Sequence, residues 1–277
     1  MVDKLQERII LAGVAGAGKT YAWLTIARMF PNQKFYVIDP DDGARRVWFN
    51  EFPEVNNLEY YFTPRWYTEG YETYKKGPKI IVTDKDRHTH LAGIADAWKV
   101  IRPKLQPGNW MITEHLGNIW NYVQSGFADE IFDKEIGQYF LEARREMKPG
   151  GKKLEGLKGW TDWPVIKKMH NEDFMIPMCY ENPAHLLMTS SVSINTGQEQ
   201  EDEVTKNFYG DTKVRIDGEK GNVYRVQTML LMTSENKRNG KHFMSTLVKD
   251  RGRPWIERKE WSDFFIDYLY PVAGWEP

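Results

Sequence analysis

The sequence predicts an α/β fold: a mostly parallel sheet flanked by helices, with an antiparallel hairpin near the C-terminus. Three observations carry this expectation. Short apolar runs of strand character alternate with amphipathic stretches of helical length through most of the chain. A glycine-rich segment, GVAGAGKT at 13–20, separates the first run from the first helical stretch. Two alternating stretches near the C-terminus, VYRVQTMLLMTSE and KHFMSTLVKDRGR, flank a turn at 237–240.

The elements follow in order. RIILAG is the first strand, and the stretch from Lys19 to Phe30 is a helix, because Trp23, Ile26, Ala27 and Phe30 recur on one face. KFYVIDPDDG is a second strand ending in acids and a turn. LEYYFT and KIIVTD are two further short strands. HLAGIADAWKVIRPKL is a helix stopped by Pro107 and Gly108. NWMITEHLG is a strand ending on a carboxylate, and the helical stretch after it carries Trp120, Phe127, Phe132, Tyr139 and Phe140 as core aromatics. KPGGKKLEGLKG reads as an exposed loop, WTDWPVIKKMHNEDFMIPMCY as helix, AHLLMTSSVS as a buried strand with a polar tip, and INTGQEQEDEVTKNFYGD as a long polar loop. WSDFFIDYLY closes the sequence as a short helix with Ser262 as its expected N-cap. No repeat or long linker divides the chain, so a single domain over 1–277 is expected.

Each position of GVAGAGKT has a mechanical reason. Gly13, Gly16 and Gly18 free the backbone to turn its N–H groups inward on an anion, with Val14, Ala15 and Ala17 between them. Lys19 brings a charge for the β- and γ-phosphates, and the Thr20 hydroxyl can ligate Mg²⁺. The helix that follows, from Lys19, Thr20 and Tyr21 onward, adds unpaired N–H groups and a positive dipole end. ATP and Mg²⁺ are therefore the expected cofactors.

Composition narrows the class. The chain has 277 residues, 41% hydrophobic and 28% charged, and no run long and apolar enough to span a membrane, so a cytoplasmic protein is expected. A single cysteine, Cys179, excludes an internal disulfide. His88 and His90 lack the companions of a zinc site. The net charge of −1 argues against constitutive, many-phosphate gripping of nucleic acid, so any DNA contact is local, ATP-conditional or shared among subunits.

Hydrolysis also needs a carboxylate near the metal and a group that orients water. Three strands end in acids: Asp39, Asp41 and Asp42 after the second, Asp84 after KIIVTD, and Glu114 after NWMIT. Carboxyl ends of parallel strands converge on the ligand crevice. Glu114 and Asp84 remain alternatives for the metal-side acid.

The order of the glycine loop, VIDPD, a strand closing on an acid, LLMTSS and a hairpin bearing KDRGR resembles the RecA-type ATPase core. The resemblance implies a water-polarising role for Asp41, a Walker B role for Glu114 in place of the usual Asp, and γ-phosphate sensing by Ser190 and Ser191. It also implies nucleotide held between subunits of a homo-oligomer, with Lys249, Arg251 and Arg253 reaching a neighbour's phosphate. The stretches PGNWMITEHLGNIWNYVQ, YFLEARREMK, GWTDWPVIKKM and VKDRGR resemble, more narrowly, bacteriophage RecA-like ATPases related to single-strand annealing and recombination-mediator ATPases. Single-stranded DNA is then the implied partner. Arg144, Arg145, Lys148, Lys152, Lys153 and Lys158 read either as a DNA-backbone contact or as a plain surface loop, and Trp160 and Trp163 as stacking surfaces or core residues. GQEQEDEV departs from the pattern, since its acids repel phosphate. A small-molecule phosphotransferase, hinted at only by Arg45 and Arg46, a DNA-packaging ATPase component and an ATP-gated scaffold are the alternatives.

Overall fold

The computed structural model describes residues 6–62, 79–82, 90–132, 162–194, 214–251 and 259–264. The strands are β1 (Arg8–Ala12), β2 (Phe35–Ile38), β3 (Leu58–Phe62), β4 (Lys79–Val82), β5 (Trp110–Thr113), β6 (His185–Ser190), β7 (Val192–Ile194), β8 (Val214–Ile216), β9 (Thr228–Lys237), β10 (Gly240–Asp250) and β11 (Lys259–Glu260). The helices are α1 (Lys19–Met29), α2 (Arg45–Glu51), α3 (His90–Ile101), α4 (Leu116–Phe132), α5 (Asp162–Met169) and α6 (Trp261–Phe264). Wider helical turns continue α5 through His170–Met175 and Pro177–Glu181.

Among the described residues, nine strands form one sheet in the order β11-β10-β9-β1-β6-β5-β2-β3-β4, and β7 pairs with β8 apart from it. Every pair from β9 across to β4 is parallel, while β9–β10 and β10–β11 are antiparallel. This is the predicted fold class: a mostly parallel sheet flanked by helices, with an antiparallel hairpin at the C-terminal end. β1 lies inside the sheet, and the chain leaving it returns three positions away in β2, with β6 and β5 between them. The carboxyl ends of β1, β6, β5 and β2 thus gather at one edge, where such sheets open a crevice.

Both faces are covered, and β1 shows why the strands read as unbroken apolar runs. Ile9 and Leu11 pack with Trp23, Ile26 and Trp48 from α1 and α2. Ile10 and Ala12, on the opposite face, pack with Ile94, Trp98 and Ile119 from α3 and α4. Neighbouring side chains alternate faces, so a strand between two helical layers needs an apolar residue at every position.

Asn57 fixes the end of α1. Its buried amide donates to the carbonyls of Ala27 (3.0 Å), Phe30 (3.0 Å) and Gln33 (2.9 Å). Those acceptors include the carbonyls that a helix C-terminus leaves unpaired.

Three local expectations change. α2 was not anticipated, because its seven residues RRVWFNE bury only Trp48 and show no apolar stripe. Helix α6 begins at Trp261, so Ser262 lies within its first turn rather than capping it. The first part of the expected strand at 223 is a 3-10 turn over Lys220–Tyr224, and β9 starts at Thr228.

Candidate active site

The glycine loop leaves β1 at the crevice. Gly16 (φ 75°) and Gly18 (φ 90°) occupy the left-handed region, which glycine enters without the Cβ penalty. The Gly13 amide donates to Ser190 O at 3.0 Å and the Ala17 amide to Val14 O at 3.2 Å, which sets the loop's curvature. Val14, Ala15 and Gly16 form its exposed rim, and Ala17 is buried beneath. Lys19 folds back over the loop, its ammonium donating to Gly13 O (2.7 Å) and Val14 O (3.0 Å). Burial lowers its pKa, opposed by the charges of Glu114 and Asp217.

Beneath the loop, two residues 94 positions apart meet. Thr20 Oγ1 donates to Glu114 Oε1 at 2.9 Å, and the Trp23 indole N–H donates to Glu114 Oε2 at 2.8 Å. Glu114 follows β5 directly, its amide held by Ile38 O at 2.9 Å. Burial raises its pKa, and the bonds from Trp23 and Thr20 and the charge of Lys19 oppose the rise. Asp39 lies close enough that Glu114 adds to the upward shift that burial gives it. Tyr60 OH donates to Asp39 Oδ2 at 2.5 Å and the Ala44 amide to the same oxygen at 2.8 Å, while buried Asp39 Oδ1 has no hydrogen-bond partner among the described residues. Two buried carboxylates under the glycine loop, one with an oxygen that has no partner among the described residues, and a threonine hydroxyl on the other are a donor set suited to a hard divalent cation. Mg²⁺ with a nucleotide polyphosphate fits these residues: Thr20 and Glu114 would hold the metal, and the loop amides and Lys19 the phosphates.

Asp41 stands on the exposed rim. The Asn118 amide donates to its Oδ2 and the Tyr122 hydroxyl to its Oδ1 at 3.3 Å, so α4 orients the carboxylate. His115 connects rim and loop. Burial lowers its pKa, Asp41 and Asp217 raise it, and Lys19 lowers it. A Cβ on Gly117 would lie 3.1 Å from the His115 ring and 3.5 Å from Asp217 Cβ, so the missing side chain brings those residues together. Asp217 follows β8, with Ser193 donating to its carboxylate and its amide donating to Ser191 O at 2.9 Å.

The cavity, about 680 Å³, runs between two walls. Val47 and Glu51 of α2 form one, and Lys241 and Phe243 of β10 the other, with Tyr21 and the loop as floor. The Tyr21 ring sits 4.9 Å from that of Phe52 and 5.0 Å from that of Phe243.

The remaining sequence candidates scatter. Ser190 is fully buried, and its hydroxyl donates to the carbonyls of Ser191 (2.9 Å) and Asp217 (3.1 Å); it meets the loop through its main chain. Ser191 is half-buried at the same strand end. Lys249 and Arg251 sit at the opposite edge of the sheet, because β10 runs antiparallel and pairs Lys249 with Met229 at the start of β9. There Lys249 donates to Val223 O and to Val226 O (2.9 Å), and Arg251 to Tyr224 O (3.0 Å). Within one chain, neither reaches the loop. Arg253, Asp84, the basic stretch 144–158 and Trp160 lie outside the described residues. Trp163 stacks on Trp120 with centroids 6.0 Å apart, in agreement with its reading as a core residue.

No family model and no curated protein matches the chain. The solved structures that align with it include these two. One is a KaiC-like protein from the hyperthermophilic archaeon Pyrococcus horikoshii OT3, at 10% identity and a TM-score of 0.42, over 92% of this chain and 84% of that one. The other is the RadB recombinase, at 10% identity and a TM-score of 0.41, over 91% of this chain and 86% of that one.

Trp23, Asn118, Asp217, Lys241 and Phe243 escaped the sequence reading as site residues. Trp23 carried a signal only as part of an apolar stripe. The others belong to no motif, since strand register and helix packing bring them in.

Proposed function

We propose that the chain is a RecA-like P-loop ATPase, a single domain over 1–277, that binds Mg-ATP and hydrolyses it. The observation carrying this reading is the meeting of Thr20 and Glu114 beneath the loop at 2.9 Å. ATP brings the phosphoanhydride bond, and Mg²⁺ offsets the charge that develops on it. Lys19 exchanges two loop carbonyls for phosphate oxygens, and the amides of 16–20 complete the cradle. Glu114 keeps its orientation through Trp23, so its carboxylate stays under the Thr20 hydroxyl. Asp41, steered by Asn118 and Tyr122, orients water on the rim.

The sequence resemblance to phage RecA-like ATPases supports a role on single-stranded DNA in recombination or replication, in a homo-oligomer. In that assembly Lys249, Arg251 and Arg253 serve a neighbour's site, a reading supported by the distance of Lys249 and Arg251 from the loop of their own chain. Ser191 reports on the γ-phosphate from the end of β6. The test is the ATPase rate with and without single-stranded DNA, beside Lys19→Ala. Turnover that DNA accelerates and the substitution abolishes supports the reading. Turnover indifferent to DNA removes the DNA role and leaves a phosphotransferase or scaffold.

A further inference from the structure

All three glycines of the loop are approached by one hairpin. A Cβ on Gly13 would lie 2.5 Å from Met232 O of β9, one on Gly16 would lie 3.3 Å from Lys241 Nζ, and one on Gly18 would lie 2.3 Å from Phe243 Cδ1. Lys241 and Phe243 are two residues apart on β10, so both project from the same face of the strand. That face forms one wall of the cavity.

Lys241 differs from its neighbours on the hairpin. Lys237 is tied to Glu260 at 2.5 Å, and His242 to Glu260 at 2.9 Å and Asn239 at 2.7 Å. Among the described residues no carboxylate pairs with Lys241, whose ammonium lies 5.5 Å from the centroid of the Phe243 ring. Phe243 in turn is wedged between Gly18 and Tyr21. An exposed ammonium thus stands beside a glycine of an anion cradle, on a strand whose next same-face residue is packed into that cradle. Lys19 is another ammonium at this loop, held by Gly13 O and Val14 O.

We propose that Lys241 is a second phosphate-binding cation, supplied by the same chain's hairpin, and that polyphosphate holds the hairpin on the loop. The inference rests on the nucleotide-site reading above. An ammonium beside a polyphosphate makes a charge-assisted hydrogen bond, and the paired β9 and β10 carry any movement of Lys241 to the turn at 237–240.

The experiment is calorimetric titration of wild type, Lys241→Met and Lys241→Arg with Mg-ATP and with adenosine, together with limited trypsin digestion. Lys241→Met is expected to weaken ATP about tenfold while leaving adenosine unchanged, and Lys241→Arg to stay within about threefold of wild type. Saturating ATP is expected to slow tryptic cleavage after Arg238 in wild type and in Lys241→Arg, but not in Lys241→Met. Wild type that binds ATP with the same constant as Lys241→Met, and equal protection of Arg238 in both, overturns the inference and leaves the nucleotide site standing. Wild type that binds no ATP overturns both.

Discussion

The Trp23 indole N–H donates to Glu114 Oε2 at 2.8 Å, linking the second turn of the helix after the glycine loop to the acid that ends β5. This bond gives the glutamate a physical justification. Its extra methylene carries the carboxylate into reach of α1, where Thr20 takes one oxygen and Trp23 the other.

Glu114→Gln is therefore expected to fold normally, because an amide oxygen can still accept one of those bonds. Hydrolysis should fall by about 10²-fold or more, since the charge on the metal side is gone. Nucleotide binding measured beside turnover checks this. Retained hydrolysis would assign the metal-side role to another acid.

The same pair makes stability depend on pH. Asp39 and Glu114 both titrate above their ordinary values, through burial first. An acid with a raised folded-state pKa keeps its proton in the native protein after the unfolded chain has lost it. Stability then falls as pH rises from about 4 through the raised folded-state values. Thermal melts from pH 5 to pH 8 without nucleotide should show this decline, and Glu114→Gln should flatten it. Mg²⁺ should offset it in wild type only.

His170 acts in the opposite sense. Burial against Trp120 pushes its pKa down to about 4, although the Asn222 side chain at 3.2 Å opposes the shift. The unfolded chain takes up a proton near pH 6.5 that the native protein refuses until about 4. Stability is lost as pH falls through that window, by about 3 kcal/mol at most. Denaturant melts of wild type and His170→Gln between pH 4 and 7 check it: the variant should lose most of the acid-side slope.

Gly18→Ala is expected to cost more than its left-handed backbone alone, about 1–2 kcal/mol. The added methyl also meets the Phe243 ring. Gly18→Ala combined with Phe243→Ala should then be less destabilised than the two single effects summed, which a double-mutant cycle of melts measures. Strict additivity would mean that the ring yields freely.

Lys249→Met should lower stability by about 1–3 kcal/mol, because it leaves the Val223 and Val226 carbonyls without their shared donor. Arg251→Ala should leave the melt nearly unchanged and lower ATPase only at protein concentrations where the oligomer forms. Melts check the first, and ATPase measured over a dilution series checks the role of Arg251 in a neighbour's site.

How much of this was legible in advance depends on how far apart the cooperating residues lie. GVAGAGKT specifies its own curvature, since left-handed positions at Gly16 and Gly18 and the amides between them are local properties of the backbone. The apolar runs through Ile9, Val37 and Ile112 announce strands buried on both faces, and the turn at 237–240 announces the hairpin, for the same local reason. Strand order and direction are not local. Only the packed sheet places Glu114 rather than a nearer acid under Thr20, and brings Lys241 and Phe243 over glycines that precede them by more than two hundred residues. Only the antiparallel course of β10 carries Lys249 and Arg251 away from the loop of their own chain. Those outcomes are set by long-range pairing and register, in which each strand's position depends on every other.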